Sequence, residues 1–224
     1  MMLESWPTLE KLADLTKMPH AWLEANAAAS RIKDVAGFEV PTDRGKFGVI
    51  ASANGVTSVL FPGFDDAEVA GRLSRHGLGW GTTGRRRALE AGIELKGYLG
   101  GEVKAFSTPV DVSHLTPFLQ DVYGALVEVP WGATVTYGEL ARLAGHPTKA
   151  RAVGTAMHRN PIPIFIPCHR VVLTGGGLGG WSGPDGWKEK LLALEGGAPR
   201  VRPVVAGARG AKTNRRSLQT RRTR

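Results

Sequence analysis

The segment TYGELARLAGHPTKARAVGTAMHRNPIPIFIPCHRVV, residues 136–172, contains the only cysteine of a 224-residue chain and, ahead of it, the pattern of two short helices. Thr136 followed three residues later by Glu139 has the form of a capping box, which opens a helix running through Leu143. Gly145 to Pro147 predicts a turn, and Thr148 stands where it would cap a second helix ending near His158. Within that helix Ala150, Val153, Gly154 and Met157 share one face, so Arg151 and Thr155 are expected to face outward. Two short helices joined by a glycine-containing turn make a helix-turn-helix candidate, a hairpin used by DNA-binding proteins and by many that never meet DNA.

After the second helix, Pro161, Pro163 and Pro167 exclude helix and predict an extended chain up to Cys168. A lone cysteine among apolar residues reads either as an inert packer or as a nucleophile. His169 and Arg170 favour the second reading, because neighbouring cations stabilise a thiolate. In an extended segment, however, adjacent side chains point to opposite faces, so His169 would need a bridging water or a local bend to serve the sulfur.

Upstream, SHLTPFLQDVYGALVEVPWG (residues 113–132) places Phe118, Val122 and Leu126 at helical spacing, with Pro130 and Gly132 as the stop. Downstream, TGGGLGGWSGPDG (174–186) has seven glycines in thirteen positions and reads as a surface loop or as a loop shaping a pocket. WKEKLLALEGG then predicts a helix with Trp187, Leu191 and Leu194 on one face and Gly196 as its end. Glu195 falls at the C-terminal end of that helix, where the dipole disfavours an anion, and a partner such as His169 would account for it.

The N-terminal half is less distinctive. Residues 1–35 read as a helical extension interrupted at Pro19, and residues 36–112 as a small α/β domain. GKFGVIASANGVTSVLFPG carries two β-rich runs around Asn54-Gly55, a pair that tolerates the positive φ of a hairpin turn. DDAEVAGRLSRHG and GRRRALEAGIELKGYLGG read as short helices. Residues 113–197 form the second domain, and residues 198–224 a basic tail expected to be disordered.

The net charge of +9 sits wholly in that tail, which has nine basic residues and no acidic one; the remainder is formally neutral with 20 of each sign. The tail reads as a solubilising terminus or as a non-specific nucleic-acid arm. One cysteine excludes an intramolecular disulfide and a multi-cysteine zinc site. Glu4, Lys11, Asp14 and Lys17 interrupt the first thirty residues, which argues against a secretory signal, and no apolar run approaches the roughly 20 residues that span a bilayer. A soluble, cytoplasmic protein is expected, at the nucleoid in a bacterium or nuclear in a eukaryote.

From about Phe118 to Gly196, PCHRVV with the preceding YGELARLAGHPTKARAVGTAMHRNPIPIFI and the following KEKLLALEG resembles the O6-alkylguanine-DNA alkyltransferases, the methylated-DNA–protein-cysteine methyltransferases. The N-terminal resemblance rests mainly on the hairpin at 45–61, and residues 1–35 and the tail have no counterpart in it. The resemblance implies a ribonuclease-H-like α/β domain followed by a mostly α, winged helix-turn-helix domain bearing the reactive cysteine. It implies single-turnover transfer of an alkyl group from O6 of guanine to Cys168, without metal or cofactor, by a monomer that binds duplex DNA through the minor groove and flips the base out. His169 would take the thiol proton through a water, oriented by Glu195, and Tyr137 would donate toward the departing guanine. Arg151 would enter the duplex, with Ala150 and Thr155 beside it on the DNA-facing helix, while Asn160 braces the turn before the active-site strand. Trp181, Ser182 and the Val171–Val172 backbone would line the base pocket. The family usually has tyrosine where this chain has Trp181, and Pro184-Asp185 is less usual; both bear on how bulky adducts fit rather than on methyl transfer. A non-reacting sensor of alkylated DNA is the nearest alternative, although members of that group lack the cysteine; a transcription regulator and a cysteine hydrolase have less in the sequence to support them.

Overall fold

In the computed structural model, residues 35–65, 67–69, 71–72, 82–181 and 183–196 are described; residues 1–34 of the N-terminal extension, much of the helix expected over DDAEVAGRLSRHG, Ser182 and the basic tail lie outside them. The chain divides into two compact units between His114 and Leu115.

The first unit is built on an antiparallel sheet of three strands, β1 (Ala36–Thr42), β2 (Gly45–Ser52) and β3 (Gly55–Leu60), in that order. β2 is central, and every residue from Phe47 to Ser52 is buried, as its run of apolar residues on both faces requires. Helix α1 (Thr82–Leu99) covers the sheet with Ala88, Ala91, Leu95, Tyr98 and Leu99, a stripe at helical spacing. β1 was not among the expected strands: its alternation is confined to Phe38 and Val40 before Pro41 interrupts it. The hairpin around Asn54 is present, with Ser52 opposite Gly55, but Asn54 does not take the expected positive φ. Gly55 does, at φ 154°, and the next residue is held by Val56 N donating to Pro109 O at 2.9 Å.

The second unit holds the elements around the cysteine. Helix α2 (Pro117–Val127) starts at Thr116, whose side chain accepts from Leu119 N, and buries Val122, Tyr123 and Leu126. Strand β4 (Val135–Thr136) runs directly into α3 (Tyr137–Leu143). The capping box at that junction forms in full: Glu139 N donates to Thr136 Oγ1 at 3.2 Å, and Thr136 N donates back to Glu139 Oε2 at 2.7 Å. Helix α4 (Ala150–His158) follows the turn, but Lys149 rather than Thr148 is its N-cap, and no side chain caps it. Its buried face is Val153, Ala156 and Met157; Ala150 and Gly154, expected there, are only half-buried, and Arg151 and Thr155 are exposed. Strand β5 (Val171–Val172) pairs in parallel with β4, Val135 opposite Val171 and Thr136 opposite Val172. Helix α5 (Trp187–Leu194) closes the unit, burying Trp187, Lys188, Leu191 and Leu192, with Leu194 half-buried.

Candidate active site

The two-residue β4–β5 ladder decides where the chemistry lies. It brings the start of α3, and with it Tyr137, beside the strand that leaves Cys168. The approach to Cys168 is not the extended run that three prolines predict. Ile164 has φ 76°, the one non-glycine residue with positive φ among the described residues, and Ile166 N bonds back to Ile162 O at 2.9 Å. A β-branched residue in that region costs about 1–3 kcal/mol, borne here by burial of Ile162, Ile164, Phe165 and Ile166. Cys168–Arg170 then forms a single 3-10 turn. The prolines do exclude α-helix; what they leave open is a compact loop, and the core selects it.

Cys168 is 4% exposed. Asn160, just past the end of α4, holds it: Nδ2 donates to Sγ at 3.1 Å and to Ile166 O at 2.8 Å, while Oδ1 accepts from Ile162 N at 3.0 Å. Burial pushes the thiol up to about 11, against the opposing pull of the Asn160 hydrogen bond, the Lys188 cation and the local amides. The resting sulfur is therefore a thiol.

The charges expected to activate it are arranged differently from the sequence expectation. Arg170 does not serve the sulfur: Nε and Nη2 donate to Glu195 at 2.8–3.1 Å, and Nη1 donates to Val129 O. The cation whose charge acts on Cys168 is Lys188, 2% exposed on α5, a residue that sequence reasoning missed because a lysine in KEK reads as solvated. Its Nζ donates to Val171 O at 2.7 Å, to Leu178 O, and to Gly180 O at 3.5 Å. The only available signal was its place one residue after Trp187 at the start of an otherwise apolar helical face. Burial lowers the Lys188 pKa, and the Cys168 and Glu189 charges oppose that.

His169 is fully buried, and its Nε2 lies 2.9 Å from Glu195 Oε1. Burial lowers the imidazole pKa; Glu195 works against this, and the Arg170 and Lys188 charges add to it. For Glu195, burial alone would raise the pKa, but hydrogen bonds and charge from His169 and Arg170 outweigh it and hold the carboxyl well below the usual range. The pair is thus a neutral imidazole donating Nε2–H to a carboxylate, which leaves Nδ1 as the basic nitrogen. Glu195 Oε2 also accepts from Gly132 N at 3.1 Å. Gly132 has φ 74°, and a Cβ there would stand 2.9 Å from Glu195 O, so this close approach requires glycine.

Tyr137 is half-buried, and its hydroxyl donates to Gly180 O at 3.4 Å, the same carbonyl that Lys188 approaches. Burial raises its pKa, opposed by the Gly180 hydrogen bond and reinforced by the Cys168 charge, so it remains a proton donor. Trp181 is half-buried, with Nε1 donating to Pro184 O at 3.2 Å. Val171 and Val172 are buried, the Val171 carbonyl being engaged by Lys188. Ser182 lies outside the described residues. Among the described residues no cluster of three or more His, Cys, Asp or Glu could hold a metal ion, and no helix is long and apolar enough to cross a membrane.

A buried thiol in a 3-10 turn just ahead of β5, followed by a His–Glu pair and preceded by a two-helix hairpin with an exposed arginine, defines a candidate cysteine-centred site. Residues 117–197 match the family model "6-O-methylguanine DNA methyltransferase, DNA binding domain". The methylated-DNA–protein-cysteine methyltransferase of Methanosarcina acetivorans is 46% identical over 107 residues, covering 48% of this chain and 68% of that protein. The Mycobacterium leprae protein of the same name is 45% identical over 106 residues, covering 47% of this chain and 64% of its own length. The crystal structure of Mycobacterium tuberculosis O6-methylguanine methyltransferase superposes with TM-score 0.58 at 30% identity, covering 76% of this chain and 96% of that one. The Mycobacterium tuberculosis OGT structure in complex with DNA gives TM-score 0.58 at 31% identity, covering 70% and 90%. The chain belongs to the methylated-DNA–protein-cysteine methyltransferase family.

Proposed function

We propose that this protein repairs DNA by moving an alkyl group, chiefly methyl, from O6 of guanine in duplex DNA onto Sγ of Cys168, once per molecule. The observation that carries this reading is the buried Cys168 thiol, held by Asn160 at 3.1 Å beside the His169–Glu195 pair. The S–C bond forms as the C–O6 bond breaks. His169, through a water, takes the thiol proton, and Tyr137 delivers a proton to the departing guanine, so that in sum a proton replaces the alkyl group on the base. The product is a thioether with no easy return to the thiol, hence one turnover.

The target atom is inaccessible inside a duplex, so the base must leave the stack at a cost of a few kcal/mol. We assign Arg151, exposed on α4 with Thr155, to the space the base vacates, and Trp181 and the glycine-rich segment to the pocket wall. In this reading the first unit is ribonuclease-H-like, the second a winged helix-turn-helix domain, and the partner is duplex DNA bearing O6-alkylguanine; the structure of the mycobacterial relative in complex with DNA supports DNA as the partner. The presence of Cys168 speaks against a non-reacting sensor.

Incubation with DNA containing O6-methylguanine, followed by intact-mass measurement, tests the reading. The expected result is a gain of one methylene, about 14 Da, confined to the peptide carrying Cys168 and absent in Cys168→Ser. Repeated turnover per molecule, or an unmodified Cys168, would overturn it.

A further inference from the structure

Tyr123 lies on α2, 1% exposed and among the largest fully buried side chains. Its hydroxyl donates to Ala156 O at 2.8 Å, across to the last turn of α4. A helix leaves its final carbonyls without amides four residues on. At the end of α4 the amide of Asn160 turns to Met157 O at 3.4 Å, and Ala156 O receives instead Arg159 N at 3.1 Å and the Tyr123 hydroxyl. The next residue in the chain is the one whose side chain grips the sulfur. Asn160 reaches Sγ only if the last turn of α4 stops where it does, because its amide must meet Ile162 N, Ile166 O and Sγ together.

We propose that Tyr123 is a positioning residue: its hydroxyl tethers the end of α4 and thereby sets Asn160 against Cys168. Burial, reinforced by the Cys168 charge, holds the phenol far above its ordinary value of 10.0, so the tether is a donor at every working pH. The inference rests on Cys168 being the reactive group but needs no DNA for its test.

The full chain and Tyr123→Phe are labelled with iodoacetamide across a range of pH, and labelling of Cys168 is read by mass. Because the Asn160 hydrogen bond favours the thiolate, loosening it raises the pH midpoint of labelling by about half a pH unit or more, seen as roughly threefold slower labelling below the midpoint. Asn160→Ala shows at least the same shift, and Tyr123→Phe added to it changes nothing further. Leu126→Ala, also on α2 and buried but without a bond to α4, lowers Tm while leaving the midpoint in place. If Tyr123→Phe keeps the wild-type midpoint, if its shift adds to that of Asn160→Ala, or if Leu126→Ala shifts the midpoint equally, the tether is refuted. Methyl transfer from DNA, measured separately, would stand or fall on its own.

Discussion

Lys188 is the residue on which electrostatics and packing meet. A buried ammonium is tolerated only with acceptors around it, and here three carbonyls, of Val171, Leu178 and Gly180, converge on one nitrogen. Lys188→Met keeps the length of the side chain and removes the charge. Val171 O and Leu178 O then lose the Lys188 donor, while Gly180 O keeps the Tyr137 hydroxyl, so stability should fall by about 2–4 kcal/mol. The pH midpoint for iodoacetamide labelling of Cys168 should rise as well; a midpoint at the wild-type position would reduce Lys188 to a purely structural anchor. The His169–Glu195 pair makes a separate prediction. Both folded-state pKa values are depressed, from ordinary values of 6.5 and 4.5, so both groups contribute stability that is complete above those values and is lost as pH falls through the depressed ones. The pair's contribution to Tm should therefore be level above about pH 6.5 and decline in acid. Glu195→Gln should lie lower at neutral pH and decline less steeply below about pH 4.5, a comparison made by thermal melts at stepped pH. Because the two side chains act together, the transfer rate of the His169→Ala and Glu195→Gln double variant should be close to that of the slower single one.

At the level of elements, the two helices of the hairpin divide the work. α3 is set by its capping box and carries Tyr137 toward the site, whereas α4 presents Arg151 and Thr155 outward and ends at Asn160. Thr136→Ala removes the oxygen that accepts Glu139 N, and loss of such a cap costs about 1 kcal/mol. Arg151→Ala touches neither the sulfur nor the pocket. It should slow repair of duplex DNA at least tenfold while leaving reaction with free O6-benzylguanine unchanged, because only the duplex requires base extrusion. Equal losses on both substrates, measured by single-turnover kinetics, would place Arg151 in the fold or the chemistry instead.

For the molecule as a whole, charge is distributed unevenly along the chain. Residues 1–197 are formally neutral and residues 198–224 carry the entire +9. Affinity for undamaged duplex should therefore come largely from the tail. Deleting residues 198–224 should lower the slope of log K against log salt by about 3, as expected if three or four arginines neutralise phosphates at once. The rate with free O6-benzylguanine should not change. A slope identical with and without the tail, from binding titrations at several salt concentrations, would make the tail a bystander.

Local chemistry was legible in the sequence wherever it depends on neighbours in the chain. The capping box at Thr136, the hairpin near Asn54, the exposure of Arg151 and the helix before Glu195 all follow from spacing and residue type, since their hydrogen bonds close within a few residues. The resemblance carried by PCHRVV pointed in advance to His169, Glu195 and Asn160. What the tertiary structure alone decided is the set of partners that meet across long separations. Arg170 turns to Glu195 and Val129 rather than to the sulfur, Lys188 is buried against Val171 O with its charge acting on Cys168, and Tyr123 reaches Ala156 from another helix. The loop at Ile164 adopts a conformation its residue type disfavours, and Thr148 yields the helix cap to Lys149. The reason is common to all of these. A charged or strained group becomes stable only where burial, distant carbonyls and opposite charge converge, and that convergence is a property of the packed fold rather than of any stretch of chain.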